Sequence, residues 1–76
     1  MLLKDLEPGM RGRIVGFDQS APEYRRRLLV LGATPGTEFE VLRRAPLGDP
    51  IEIRVRGACL SVRKDEIQIM QVEAVK

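Results

Sequence analysis

The stretch from Arg43 to Ile51 constrains the fold most, because it places turn-forming residues between two runs of alternating hydrophobicity. Apolar residues recur two positions apart on both sides of it: Phe39, Val41, Ile51, Ile53 and Val55. Alternation with a period of two is typical of half-buried β-strands. Pro46 and Pro50 remove two backbone donors, so the linker cannot simply extend either strand. The sequence therefore predicts two strands joined by a shaped loop, with the apolar Leu47 at its tip.

The composition excludes several classes of function. The 76 residues suffice for one small domain, expected to span 1–76, and they include no histidine and one cysteine. A histidine-based catalytic triad, a histidine-rich metal site and an intrachain disulfide are therefore impossible. No carboxylates show the spacing of metal ligands, and Asp65 and Glu66 are interpreted as part of a polar corner that could form one turn of 3₁₀ helix. We expect no catalytic residue, no metal ligand and no cofactor, and we expect Cys59 to be a small filler on a strand.

The charged residues leave one alternative open. Thirteen basic residues meet eleven acidic ones, and the net charge of +2 is too small to indicate a dedicated nucleic-acid binder. Arginines on the predicted strands nevertheless allow a basic patch: Arg43, Arg44, Arg54, Arg56 and Arg63. Glu40 and Glu52 are expected to neutralise part of it by cross-strand pairing. Because the apolar runs are short and the N-terminus lacks a secretory pattern, we expect a cytoplasmic protein without direct membrane insertion.

Three further segments are predicted as strands. They are Arg11–Phe17, the stretch from Ala58 to Arg63, and a last run that includes Ile67, Ile69, Met70 and Val72. Gly12 and Gly16 permit sharp bending of the first of these strands. Gly57 favours a tight hairpin before the second strand. Short antiparallel strands joined by tight turns are typical of a small all-β barrel, either SH3-like or OB-like.

One α-helix is predicted between the first two strands. Ser20 is expected to cap its N-terminus, with Glu23 three residues later completing a capping box. The helix is expected to run to Leu31 and to end at Gly32 in a left-handed conformation. Residues spaced by four and three form the expected inward stripe: Tyr24, Leu28 and Leu31. The whole is expected to be a barrel of about five antiparallel strands with one helix inserted after the first strand.

The sequence resembles the FeoA family of small proteins associated with bacterial ferrous iron uptake. Three segments carry the resemblance: Tyr24–Gly32, Thr34-Pro35-Gly36 and Ala45–Ile51. They correspond to an arginine- and leucine-bearing helix that ends in Leu-Gly, a Pro-Gly turn, and an Ala-Pro-Leu-Gly-Asp-Pro loop. The resemblance covers nearly the whole chain and implies an SH3-like barrel without enzymatic activity. It also implies an accessory or regulatory role through contact with the cytoplasmic GTP-binding region of a FeoB-type membrane transporter.

Two groups of residues are predicted to contact a partner. On the loop they are Pro46, Leu47 and Asp49, and on the helix they are Arg25, Arg26 and Leu29. Loops held by a rigid scaffold often carry binding residues, and arginine is enriched at interfaces. The alternative for the loop is a purely structural hairpin connection, and the alternative for the helix is a solvated charged face.

Two other functions remain open from the sequence. The strand arginines allow a small nucleic-acid-binding barrel, although the chain has three aromatic residues and no obvious stacking platform. Exposed Leu47 and Leu29 also allow a self-associating subunit that packs across a symmetric interface. An accessory protein of ferrous iron uptake, acting by protein contact and not by binding nucleic acid, is the preferred hypothesis.

Overall fold

The computed structural model describes residues 1–75 and contains five antiparallel strands in the order β4-β3-β2-β1-β5. The strands are β1 Arg11–Phe17, β2 Glu38–Arg44, β3 Ile51–Val55, β4 Ala58–Val62 and β5 Met70–Val75. The helices are α1 Pro22–Val30 and α2 Lys64–Ile69, and a 3₁₀ turn covers Leu3–Asp5. The predicted all-β, SH3-like class is confirmed, with α1 inserted after β1 as expected. Neither helix in residues 1–75 has the length and apolar character needed to cross a membrane.

The core forms where the alternating faces of the strands meet. Phe39 opposes Val55 and Val41 opposes Ile53 across β2 and β3, and all four side chains are buried. The β3–β4 hairpin turns at Arg56 and Gly57, both with positive φ (52° and 81°). Positive φ at both central residues is the geometry of a type I′ turn, whose twist matches that of paired strands. The predicted hairpin at Gly57 is therefore confirmed.

Cys59 does not fill the interior. It lies on edge strand β4 opposite Arg54 and is exposed, so the prediction of a packed filler is wrong. Its neighbours Leu60 and Val62 are buried, whereas Ala58, next to the turn, is exposed. Alternation along β4 thus places the cysteine on the outward face.

The predicted helix is confirmed, but its cap and its stripe are not. The N-cap residue is Ala21, and no side chain caps the helix. The Ser20 backbone N–H instead donates to the Asp18 carboxylate at 2.9 Å, which places Ser20 in a turn preceding the helix. Of the predicted stripe only Leu28 is buried: Tyr24 is half-buried and Leu31 is 47% exposed. Leu31 points away from the core because it lies in the C-cap, beyond the last helical residue.

Helix α1 ends at Val30, one residue before the predicted Leu31, and the left-handed conformation predicted for Gly32 is confirmed. Gly32 adopts a φ of +98°, and its N–H donates to the carbonyl of Leu29 at 3.1 Å. The N–H of Ala33 donates to the carbonyl of Leu28 at 2.9 Å. These bonds satisfy carbonyl groups that the helix end would otherwise leave unpaired.

The segment predicted as a polar corner and the start of the last strand is helix α2. Ile67 and Ile69 are buried as expected, but they lie on α2, and the last strand begins at Met70. Glu66 accepts a hydrogen bond from the backbone N–H of Arg63 at 3.0 Å, which stabilises the start of the helix. A short apolar run does not by itself distinguish a strand from a helix, and α2 is such a case.

Gly12 is required by close packing between β1 and β2. A Cβ atom at this position would lie 2.6 Å from the Phe39 ring and 3.1 Å from the carbonyl oxygen of Glu73. We expect Gly12→Ala to lower the free energy of unfolding by about 1–3 kcal/mol, because the added methyl group overpacks the site. Urea denaturation followed by circular dichroism measures this. Gly16→Ala on the same strand is the control, since no atom of the described residues beyond its chain neighbours lies within 4 Å of the added Cβ. Equal losses in both variants would contradict the packing role.

Candidate functional site

Two backbone hydrogen bonds hold the loop between β2 and β3. The Gly48 N–H donates to the Ala45 carbonyl at 2.7 Å, closing a β-turn, and the Ala45 N–H donates to the Pro50 carbonyl at 3.1 Å. Pro46 occupies the second position of this turn, which suits its fixed φ, and the Asp49–Pro50 peptide bond is cis. Leu47 follows at the tip and is 96% exposed. The loop therefore presents an apolar side chain from a backbone held by hydrogen bonds.

A groove of about 480 Å³ lies between this loop, the N-terminal turn and α2. Residues from all three elements line it: Lys4, Arg44, Leu47, Asp49, Lys64 and Ile67. Ile67 is only 4% exposed, whereas Leu47 stands almost fully in solvent. Two predicted contact residues, Leu47 and Asp49, thus belong to a concave surface whose other walls the sequence did not indicate.

Arg44 links the N-terminal turn to the end of β2. Its guanidinium donates to the carbonyl oxygen of Lys4 at 2.8 Å and also to that of Leu6. Its Nε atom is buried and has no hydrogen-bond partner within residues 1–75. The Arg44 side chain is therefore held beside the groove by contacts with residues about 40 positions away in the sequence.

Carboxylates neutralise part of the basic patch that was predicted on the strands. Glu52 pairs with Arg43 and Glu40 pairs with Arg54, each at 3.4 Å across neighbouring strands. The expected cross-strand neutralisation is confirmed. Arg56 lies within 3.4 Å of the hydroxyl groups of two threonines, Thr34 and Thr37. Two of the five predicted patch residues, Arg43 and Arg54, are thus paired with carboxylates, whereas Arg56 and Arg63 have no ion pair within residues 1–75.

The predicted contact residues of α1 lie on a separate surface. Arg26 is exposed, and Arg25 and Leu29 are half-buried. Neither arginine has a carboxylate within 4 Å in the described part of the chain. Arg26 borders a second depression together with Val30, which is 79% exposed and was not among the predicted contacts. The two predicted groups of contact residues therefore do not line the same cavity.

Helix α2 separates these two surfaces. Lys64 and Ile67 line the loop groove, while Glu66 forms an ion pair with Arg27 of α1. Tyr24 of α1 donates from its hydroxyl to the Asp65 carboxylate at 3.3 Å, and the negative charge of Asp65 raises the pKa of Tyr24. Helix α2 thus positions both candidate surfaces.

Glu66 is buried, although the sequence predicts a polar corner at this position. Its side chain is 2% exposed and is hydrogen-bonded to both the Arg27 guanidinium and the Arg63 backbone N–H. The signal available in the sequence was its position three residues after Arg63, where a carboxylate can bond back to the N-cap N–H. Within residues 1–75, no three histidine, cysteine or acidic residues are grouped as metal ligands.

Comparison with known proteins identifies the family. The model of the FeoA domain matches residues 1–74. The chain is 29% identical over 75 residues to an Fe(2+) transport protein A/Fe(2+) transporter FeoB fusion protein of Porphyromonas gingivalis. That match covers 99% of this chain and 9% of the fusion protein, so the chain spans about a tenth of this relative's length.

Solved structures agree in fold. The solution structure of the FeoA protein from Chlorobium tepidum is 38% identical and superposes with a TM-score of 0.89, covering 100% of this chain and 71% of that one. A Stenotrophomonas maltophilia FeoA, described as a prokaryotic SH3 domain protein, is 22% identical, with a TM-score of 0.80 over 96% of this chain and 89% of that one. This second likeness concerns the fold alone. The chain belongs to the FeoA domain family, which is associated with ferrous iron transport and occurs fused to FeoB in one relative.

Proposed function

We propose that this chain is a non-catalytic, cytoplasmic accessory protein of bacterial ferrous iron uptake. It docks through the loop between β2 and β3 on the cytoplasmic, GTP-binding region of a FeoB-type transporter. The fusion of a related domain to FeoB in one relative supports this partner, because fusion keeps two proteins at the same place. The observation that carries the proposal is Leu47, which is 96% exposed at the tip of a loop closed by backbone hydrogen bonds.

The physical argument for docking is the free energy available from Leu47. Burial of a leucine side chain contributes roughly 1.5–3 kcal/mol. Because the turn from Ala45 to Gly48 is already closed, little backbone entropy is lost when a partner covers the tip. An apolar side chain presented in this way favours contact with a protein surface. It offers no group that performs acid–base or nucleophilic catalysis.

The helix surface extends this proposal. Arg25, Arg26 and Leu29 form a second contact region, because the two arginines carry charge that no carboxylate within residues 1–75 neutralises. Arginine makes bidentate contacts with carboxylates and is enriched at interfaces. Pro46 and Asp49 flank Leu47 and complete the first region.

Leu47→Asp tests the proposal directly. We expect the variant to bind the cytoplasmic region of the transporter from the same organism at least about tenfold more weakly. The substitution puts a charge in place of the apolar side chain that the partner buries in the complex. Biolayer interferometry with the immobilised transporter region, in each nucleotide state, measures the affinity. Met10→Asp changes another exposed apolar residue outside the loop and serves as the control. Wild-type protein that fails to bind in every nucleotide state would refute the docking function.

Self-association is the second candidate function. It rests on the same exposure of Leu47, together with the half-buried Leu29 and the exposed Val30 on α1. Sedimentation equilibrium across a hundredfold range of concentration tests it. A constant monomer mass would exclude it. The ion-paired strand arginines give no such support to a nucleic-acid-binding function.

A further inference from the structure

The groove beside the loop concentrates positive charge that has no partner in the described structure. Lys4, Arg44 and Lys64 line it, and none has a carboxylate within 4 Å in residues 1–75. Elsewhere in residues 1–75, five arginines form ion pairs, namely Arg11, Arg13, Arg27, Arg43 and Arg54, and four do not, namely Arg25, Arg26, Arg56 and Arg63. Among the residues 1–75, Asp49 is the one acidic residue that lines the groove. The wall is therefore electropositive, although the net charge of the whole chain is only +2.

The groove also has apolar walls. Ile67 is almost completely buried beneath it, and Leu47 forms part of its rim. Its volume of about 480 Å³ lies within the range of roughly 300–1,000 Å³ that is common for binding clefts. Apolar walls with a few cationic groups match a ligand that carries both an apolar side chain and negative charge. A polyphosphate or a nucleic-acid backbone supplies the charge but not the apolar group.

One of the three cations is already fixed in position. Arg44 donates to the carbonyl groups of Lys4 and Leu6, so its guanidinium is ordered before any ligand arrives. The hydrogen bond from Arg44 also holds the backbone of Lys4, the second cationic residue, against the end of β2. Preorganised groups lose less conformational entropy on binding than mobile ones. The charge at this groove is thus placed by the fold as well as by composition.

We propose that the groove binds an extended acidic segment of a partner protein, with an apolar side chain packed near Ile67 and carboxylates next to Lys4 and Lys64. A second copy of this chain is a poor occupant, since its net charge is also positive. This inference rests on the proposed function, because Leu47 and Asp49 of the proposed docking loop also line the groove. It goes further by naming the chemistry of the segment that the partner must supply.

Nuclear magnetic resonance of the ¹⁵N-labelled protein tests the inference with two ligands. One is the transporter's cytoplasmic region, and the other is a capped hexapeptide of alternating glutamate and leucine residues. Both are expected to shift the amide signals of Lys4, Gly48 and Lys64, and to bind more weakly as salt is raised. A capped hexapeptide of alternating lysine and leucine is expected not to bind.

A pair of charge variants sharpens the test. The double variant Lys4→Gln/Lys64→Gln is expected to bind both acidic ligands at least about fivefold more weakly. Arg25→Gln/Arg26→Gln removes the same charge from the surface of α1, and it is expected to leave hexapeptide affinity within about twofold.

The outcomes separate this inference from the docking function. If the transporter region binds but the groove signals do not move and Lys4→Gln/Lys64→Gln binds normally, the groove inference is overturned and docking stands. If the acidic hexapeptide binds at the groove but the transporter region does not bind, the groove inference is supported and the proposed partner is refuted. If neither ligand binds, both are overturned.

Discussion

Leu28→Asp is expected to leave the chain unfolded at room temperature. Leu28 is the one buried residue of α1 and belongs to the main core cluster. The lost burial of leucine costs about 2–5 kcal/mol and the unpaired buried carboxylate adds a further cost, so we expect the combined loss to match or exceed the stability of the domain. The total free energy of unfolding for a domain of this size is about 4–11 kcal/mol. Far-ultraviolet circular dichroism and the dispersion of amide signals measure the effect.

Two variants control for the charge itself. Val30→Asp makes a comparable apolar-to-acid change two residues later on the same helix, where the side chain is 79% exposed. Leu47→Asp makes the matched leucine change on the loop. Both are expected to remain folded, with unfolding free energies within about 1 kcal/mol of wild type. If Leu28→Asp and Leu47→Asp lose folding equally, the division between core and presented surface is wrong.

Arg27→Met is expected to lower the free energy of unfolding by about 3 kcal/mol. Arg27 pairs with Glu66, whose side chain is 3% exposed while that of Arg27 is 44% exposed. Removal of the arginine leaves a buried carboxylate whose one remaining partner within residues 1–75 is the Arg63 N–H, and a buried charge without its counterion is strongly destabilising. Urea denaturation measures the loss.

The same ion pair predicts an asymmetry between its two partners. Glu66→Gln is expected to cost less than Arg27→Met, at about 1 kcal/mol, because the exposed side of the remaining guanidinium stays in contact with water and the amide oxygen can still accept from Arg63. Arg26→Met, one position earlier and without an ion-pair partner in residues 1–75, is expected to change stability by less than about 0.5 kcal/mol. A larger loss in Glu66→Gln than in Arg27→Met would contradict this account.

The strand pattern and the family were accessible from the sequence. Alternation at Phe39 and Val41, and again at Ile51, Ile53 and Val55, predicted which faces are buried. The bounds of β1 match the predicted Arg11–Phe17. Side-chain alternation is a local property of an extended backbone, so it can be read without knowledge of the partners. The same holds for Gly32, because a left-handed helix end is a local requirement.

The errors occurred where a neighbour in space decides the outcome. Helix α2 forms where alternation suggested a strand, and its buried Glu66 is satisfied by Arg27, which lies 39 positions away in the chain. Leu31 is apolar enough for the interior, but it lies beyond the end of α1 and is 47% exposed. An apolar side chain is more stable in the interior than in water. Only the packing of the whole chain decides whether a buried position is available.

By itself, the sequence determined the strand faces, the turn chemistry, the inserted helix and the presented tip at Leu47, because each depends on residues close together in the chain. The tertiary structure alone decided that Lys4, Arg44 and Lys64 border one groove and that Arg43 and Arg54 pair with glutamates on neighbouring strands. The electrostatic character of a surface depends on which charged side chains lie close together, and these side chains come from positions far apart in the sequence. The exposed loop tip at Leu47 was therefore predictable from the sequence, whereas the charged groove beside it is evident only in the fold.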